Sequence, residues 1–123
     1  MALHYTIDLE DSTIVVRGGG TADKESITQL WREIVAACDQ HSCLYILGFS
    51  DLDKPLSISN AFDHQAIFLE AGVTIDHRIA WVDENPESLR MIQLVESVLL
   101  NRGLANARVF SDEFEARRWL RKH

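Results

Sequence analysis

The sequence has little cysteine, no long apolar run and a shortage of positive charge, and each scarcity excludes a class of protein. It holds two cysteines in 123 residues, Cys38 and Cys43. That is too few for the disulfide framework on which small secreted domains depend. Structural zinc needs four Cys or His ligands at tight spacing, whereas here only His41 lies between the two thiols. They read as reduced, partly buried thiols of a cytoplasmic protein. Apolar residues run no longer than five at a stretch, as from Ile34 to Cys38, against about 20 for a bilayer-spanning helix. Residues Met1 to Asp8 carry neither a basic start nor an apolar stretch, so no secretory signal is expected. Twelve Lys and Arg stand against 19 Asp and Glu, a net charge of −7. Nucleic acid is not an expected partner, because grip on a phosphate backbone needs a clustered basic face.

The chain is rich enough in apolar residues, at 46%, to form one core. A chain of this length buries about two-thirds of its unfolded surface, so one domain over residues 1–123 is expected. No repeat, low-complexity block or linker interrupts it. The two prolines, Pro55 and Pro86, fall at expected element boundaries.

Periodicity gives the elements. His4 to Glu10 alternates apolar Tyr5, Ile7 and Leu9 with polar residues, as a half-buried strand does. A polar turn leads to a β-branched strand over Ser12 to Arg17, ended by Gly18-Gly19-Gly20, so the chain opens with a hairpin. Ile27, Leu30, Trp31, Ile34, Val35 and Cys38 fall on one face of a first helix, with Thr21 or Asp23 as its cap. Cys43 to Phe49 reads as a strand buried on both faces. A second helix runs from about Ser57 to Ala71, its inner face formed by Ile58, Ala61, Phe62, Ala66 and Leu69, and Gly72 ends it. His77 to Val82 is the next strand. Asn85-Pro86-Glu87 starts a third helix that runs to about Arg102. Ala107 to Phe110 is a short strand, and Ser111 caps a last helix. The order β-β-α-β-α-β-α-β-α implies an α/β domain with a mostly parallel sheet and an antiparallel edge hairpin.

This order resembles the SpoIIAA-like fold shared by STAS domains and small bacterial STAS/SEC14-like proteins. The stretches that carry the resemblance span the chain: Ile14-Val-Val-Arg-Gly18 with Thr21-Ala-Asp-Lys-Glu25, Leu44-Tyr-Ile-Leu47, Arg78-Ile-Ala-Trp-Val-Asp83, and Ala107 to Leu120 with its Ala-x-x-Trp-Leu helix. In phosphorylatable STAS domains an Asp-Ser-Ser-Gly motif opens the helix after the central strand. Here the matching stretch is Leu56-Ser-Ile-Ser-Asn60, which lacks the Asp and Gly and sets Ile58 in the place of the target serine. The neighbouring Ser57 and Ser59 are the candidate phosphorylation sites, and a helix cap is the alternative role for either.

Four further features bear on function. Gly18-Gly19-Gly20 lies between strand and helix but has no phosphate-loop spacing, so it reads as a turn. Asp51, Asp53 and Asp83 (with Glu84 and Asp112) follow strands on the sheet edge where α/β proteins bind ligands, and three such acids could hold a divalent cation. The same acids also suit the starts of helices. The third helix is apolar almost all round, with Met91, Val95, Val98 and Leu99 among its residues, so either a broad core contact, a second subunit or an apolar ligand covers it. The second helix carries an off-face pair, Ile67 and Phe68, and in SEC14-type carriers a mobile helix closes over an apolar pocket. By that resemblance Phe62, Phe68, Leu69, Met91, Val95, Val98 and Leu99 are candidates for an apolar ligand site or an interface. The five histidines form no paired motif and read as surface or edge residues.

No catalytic constellation stands out, and no cofactor is implied. The expectation is a non-enzymatic STAS-like regulatory or protein-binding domain, cytoplasmic and homodimeric. The alternatives are a carrier or sensor of an apolar small molecule or lipid and, behind it, a metal-dependent enzyme built on the acids.

Overall fold

The computed structural model describes residues 2–122. Its elements are β1 (His4–Glu10), β2 (Thr13–Gly20), α1 (Lys24–Gln40), β3 (Tyr45–Leu52), α2 (Ile58–Ala71), β4 (Arg78–Val82), α3 (Pro86–Asn101), β5 (Asn106–Phe110) and α4 (Glu113–Arg121). The order is the one that the periodicity predicts. The five strands lie in one sheet in chain order, β1 antiparallel to β2 and the rest parallel. When each crossover steps to the next strand with the same hand, successive helices land on one face. Accordingly α1, α2 and α3 pack with Ile14, Val16, Ile46, Ile79 and Ala107 into one core. α4 alone covers Val15, Leu47, Ala80 and Val82 on the opposite face, through Ala116 and Leu120.

α2 does not lie on the strands as its neighbours do. It packs against α1 and α3, and exposed Arg32 and Glu70 form an ion pair between α1 and α2. Its buried residues are Ala61, His64, Ile67 and Phe68. This corrects the expected inner face: Ile58, Phe62 and Leu69 are 65%, 51% and 61% exposed. The helix is apolar over two arcs, and the arc carrying the pair expected off-face is the one that faces inward. The apolar girth of α3 is mostly resolved within the chain. Ile92, Val95, Val98 and Leu99 are buried, Met91 and Leu94 are half-buried against the core, and Leu100 stays exposed.

Three local details also differ from expectation. The glycine run does not end β2 but continues it, with Gly19 paired to His4 and Asp51. A side chain there has no room, since a Cβ on Gly19 would sit 2.8 Å from the Asp51 carbonyl oxygen. β3 likewise begins at Tyr45 and continues through Ser50 to Leu52 rather than stopping at Phe49. Asp112, not Ser111, caps α4 by accepting from the Phe114 amide.

Candidate functional site

The sheet and the three helices on its richer face do not close completely. Between them lies a cavity of about 90 Å³. Its floor is Val16, Ile79 and Trp81 from the strands, and its sides are Leu30 and Trp31 of α1 and Val95 and Leu99 of α3. His64 and Phe68 reach in from α2. The apolar candidates of the sequence therefore divide. Phe68, Val95 and Leu99 line the cavity; Val98 is buried and Met91 half-buried outside its lining; Phe62 and Leu69 face solvent on the far side of α2.

The aromatic rings give the cavity its shape. Trp31 lies with its ring centroid 4.5 Å from Phe68 and 5.7 Å from Trp81, within the range of favourable tilted contacts. His64 extends the row at 6.1 Å from Phe68. Trp81 can lie over the sheet because its β3 partner is Gly48. A Cβ at Gly48 would fall on Cε3 and Cζ3 of the indole.

The polar groups around the cavity are mostly engaged. Trp81 Nε1 donates to Ser50 Oγ at 3.0 Å, and Ser50 Oγ donates to Asp83 Oδ2 at 2.7 Å. Ser88 Oγ donates to the same oxygen at 2.6 Å, and the Asn85 amide donates to Asp83 Oδ1 at 3.0 Å. Asp83 is only 2% exposed. It behaves as a buried bracket that joins β3, β4 and the start of α3 and holds the indole in place. Glu96 at the margin accepts from the Val109 amide at 2.9 Å.

Among the described residues the Trp31 indole N–H in the cavity wall makes no hydrogen bond, and His64 is the other exception. It is 7% exposed, and its Nδ1 lies 2.8 Å from the Asn60 carbonyl oxygen. Burial pushes its pKa below the ordinary histidine range, against the smaller opposing pulls of the Asn60 carbonyl and of Asp63. The surface position expected for all five histidines is thus wrong for His64, and also for His77, which is buried with Nδ1 accepting from the Thr74 amide at 3.1 Å. The sign of the pH effect follows for His64. An unfolded chain binds a proton near pH 6.5 that the buried ring resists, so the ring's share of stability is intact above that pH and is lost below it. Urea melts on either side of that pH are expected to show up to about 1.4 kcal/mol lost per pH unit from this group. His64→Leu removes that part of the slope; an unchanged slope in the variant contradicts the assignment.

The acids expected to meet at the strand ends do not meet. Asp83 is turned inward and occupied, while Asp51 and Asp53 are exposed, Asp53 lying 3.4 Å from the Thr21 hydroxyl. Among the described residues no group of three His, Cys, Asp or Glu is placed to hold a metal. Ser57 is the cap of α2, its Oγ accepting from the Asn60 amide at 3.0 Å, and Ser59 is exposed in the first turn. Cys38 and Cys43 are free and buried. Burial first, then the neighbouring Cys43 and Asp39, push the Cys38 thiol up to about 12, so it stays protonated and unreactive. Among the described residues no helix is long and apolar enough to cross a membrane.

Sequence reasoning named Phe68, Val95 and Leu99 but missed His64, Ser50, Gly48 and Trp81 as parts of one site. The only available signal was the depth of Gly48 in an apolar strand, which marks close approach of another group.

Comparison with known proteins bears on the fold. No protein-family model matches the chain, and no curated protein matches it. Among solved structures it is similar to an uncharacterized protein of the DUF3478 family from Shewanella loihica PV-4, described as having a SpoIIAA-like fold. The two share 18% identity and superpose with a TM-score of 0.55 over 97% of this chain and 94% of that one. At that identity the likeness concerns the path of the backbone and carries no residue roles. With its β-β-α-β-α-β-α-β-α order, its mixed sheet and this likeness over nearly the whole chain, the chain has the SpoIIAA-like fold.

Proposed function

We propose that this protein works by binding rather than by catalysis, and that its ligand is an apolar small molecule held beneath α2. The observation that carries the reading is the apolar cavity between the sheet and α1, α2 and α3. Protein interiors are ordinarily close-packed, and an apolar space with a few placed polar groups is the usual form of a small-molecule site. α2 is suited to be its cover. It rests on two helices rather than on the sheet, and its ion pair to α1 joins exposed side chains, a contact worth under about 1 kcal/mol. This takes up the carrier or sensor expectation and gives Phe68, Val95 and Leu99 the role of pocket wall.

One observation favours the regulatory, protein-binding reading as well. Ile58, Phe62 and Leu69 expose an apolar stripe along the outer side of α2. A second copy covering that stripe would form the expected homodimer. Two unpaired thiols suit a cytoplasmic setting.

Native mass spectrometry of freshly purified protein, run beside a denatured sample and an organic extract, tests the ligand reading. The expected result is excess mass that disappears on denaturation and reappears as an apolar compound in the extract. Bare chain mass, with no uptake of added apolar compounds, would remove the reading.

A further inference from the structure

We infer that His64 is the hydrogen-bonding anchor of this cavity, and that the ligand is a compact apolar molecule bearing a hydroxyl, a phenol or an alcohol, which donates to His64 Nε2. The inference rests on the cavity reading and specifies its ligand. A carbonyl oxygen can only accept, so the 2.8 Å contact to Asn60 O places the ring proton on Nδ1. Nε2 is then a bare lone pair. It has no hydrogen-bond partner among the described residues. His64 lines the cavity, so a ring acceptor stands in its wall without the protein donor that buried polar groups normally find.

No other polar group lining the cavity bonds to Nε2, and among the described residues the Trp31 N–H in the same wall makes no hydrogen bond either. The Ser50 hydroxyl proton goes to Asp83, and the Trp81 N–H goes to Ser50. The Glu96 carboxylate can only accept, and takes the Val109 amide. Burial keeps the ring neutral, so it offers an anion neither charge nor proton. The site thus selects a neutral donor over a carboxylate. Arg108, exposed at the lining, is the one cation that could favour the opposite choice. Apolar cavities of roughly 150 Å³ take up benzene; the space here, about 90 Å³, is smaller, so a ring enters only if α2, the cover proposed above, gives way.

The test compares phenol, benzene and benzoate on the wild-type protein, His64→Leu and His64→Gln. Leu supplies apolar volume without an acceptor, and Gln restores an acceptor oxygen. Calorimetry is expected to show phenol bound by the wild-type protein and benzoate not. The preference for phenol over benzene should fall about tenfold in His64→Leu, the size of one neutral hydrogen bond, and should recover in part in His64→Gln. Nitrogen NMR of the wild-type ring adds a measurement independent of the variants: phenol should move the Nε2 resonance and leave the proton on Nδ1. Several results overturn the inference while leaving the cavity reading in place: an unchanged phenol preference in His64→Leu, an unmoved Nε2 resonance in the phenol complex, or benzoate binding lost in Arg108→Ala. Failure of both benzene and phenol to bind overturns the inference and the cavity reading together.

Discussion

Gly48→Ala is expected to cost the fold about 3 kcal/mol, the upper end of what overpacking a core produces. In most strands a glycine-to-alanine change is mildly favourable, because it restricts the unfolded chain. Here the added methyl would occupy the place of Cε3 and Cζ3 of the Trp81 indole. Gly48 and Trp81 are direct partners in adjacent parallel strands, so neither backbone can move aside without loosening the ladder. The ring must turn instead, and it is bonded to Ser50 and packed on Trp31. Chemical denaturation is expected to show the loss in midpoint with little change in slope. Near-ultraviolet circular dichroism should report the displaced indole. Adding Trp81→Leu to Gly48→Ala should return part of the stability, because the methyl then has space, and the coupling of the two changes measures the clash. A Gly48→Ala protein as stable as the parent would mean that Trp81 does not lie over the sheet.

The second large effect is at Asp83. Asp83→Ala is expected to destabilise by about 3 kcal/mol, although the residue is a surface-type acid by composition. Its carboxylate accepts from Ser50, Ser88 and the Asn85 amide. Removing it leaves those donors without their acceptor; Ser88 is buried, Ser50 half-buried and Asn85 exposed, and a buried orphan costs about 1–3 kcal/mol before relaxation. Asp83→Asn should cost less, since one amide oxygen can still take a hydroxyl. The indole N–H resonance of Trp81 should shift in both variants, because its acceptor, Ser50, is held by Asp83. Equal stability of Asp83→Ala and the parent, within about 0.5 kcal/mol, would contradict the role of Asp83 as the bracket of the cavity wall.

Particular residues show where the fold was legible in the sequence and where it was not. The single apolar face of α1, from Ile27 to Cys38, is buried as its spacing requires. Asn85 before Pro86 marks the start of α3, and Gly72 adopts the left-handed conformation that ends α2, at φ 88°. These signals are local and independent of packing partners. The face of α2 is a different matter. Ile58, Phe62 and Leu69 make as good an apolar stripe as Ala61, His64, Ile67 and Phe68 do. The choice is made by α1 and α3, which lie outside the helix's own sequence. His64 was unreadable for the same reason, since a histidine among apolar neighbours gives no sign of facing inward. The acids followed a correct topological rule to the wrong chemistry. Asp83 does follow a parallel strand, but the turn into α3 directs it into the protein, where Ser50 and Ser88 engage it. The glycine run also had two meanings, turn and close-packed strand. The carbonyl of Asp51 beside Gly19 decides for the second.

The most direct test of the central claim, that the space under α2 accepts an apolar molecule, is a crystal structure of the protein under xenon pressure. Xenon enters preformed apolar cavities and ignores hydrogen-bonding chemistry. Density is expected among Trp31, Phe68, Trp81 and Val95, either from xenon or from a compound carried through purification in its place. Side chains closing that space, with neither xenon nor any other molecule between the sheet and α2, would contradict it.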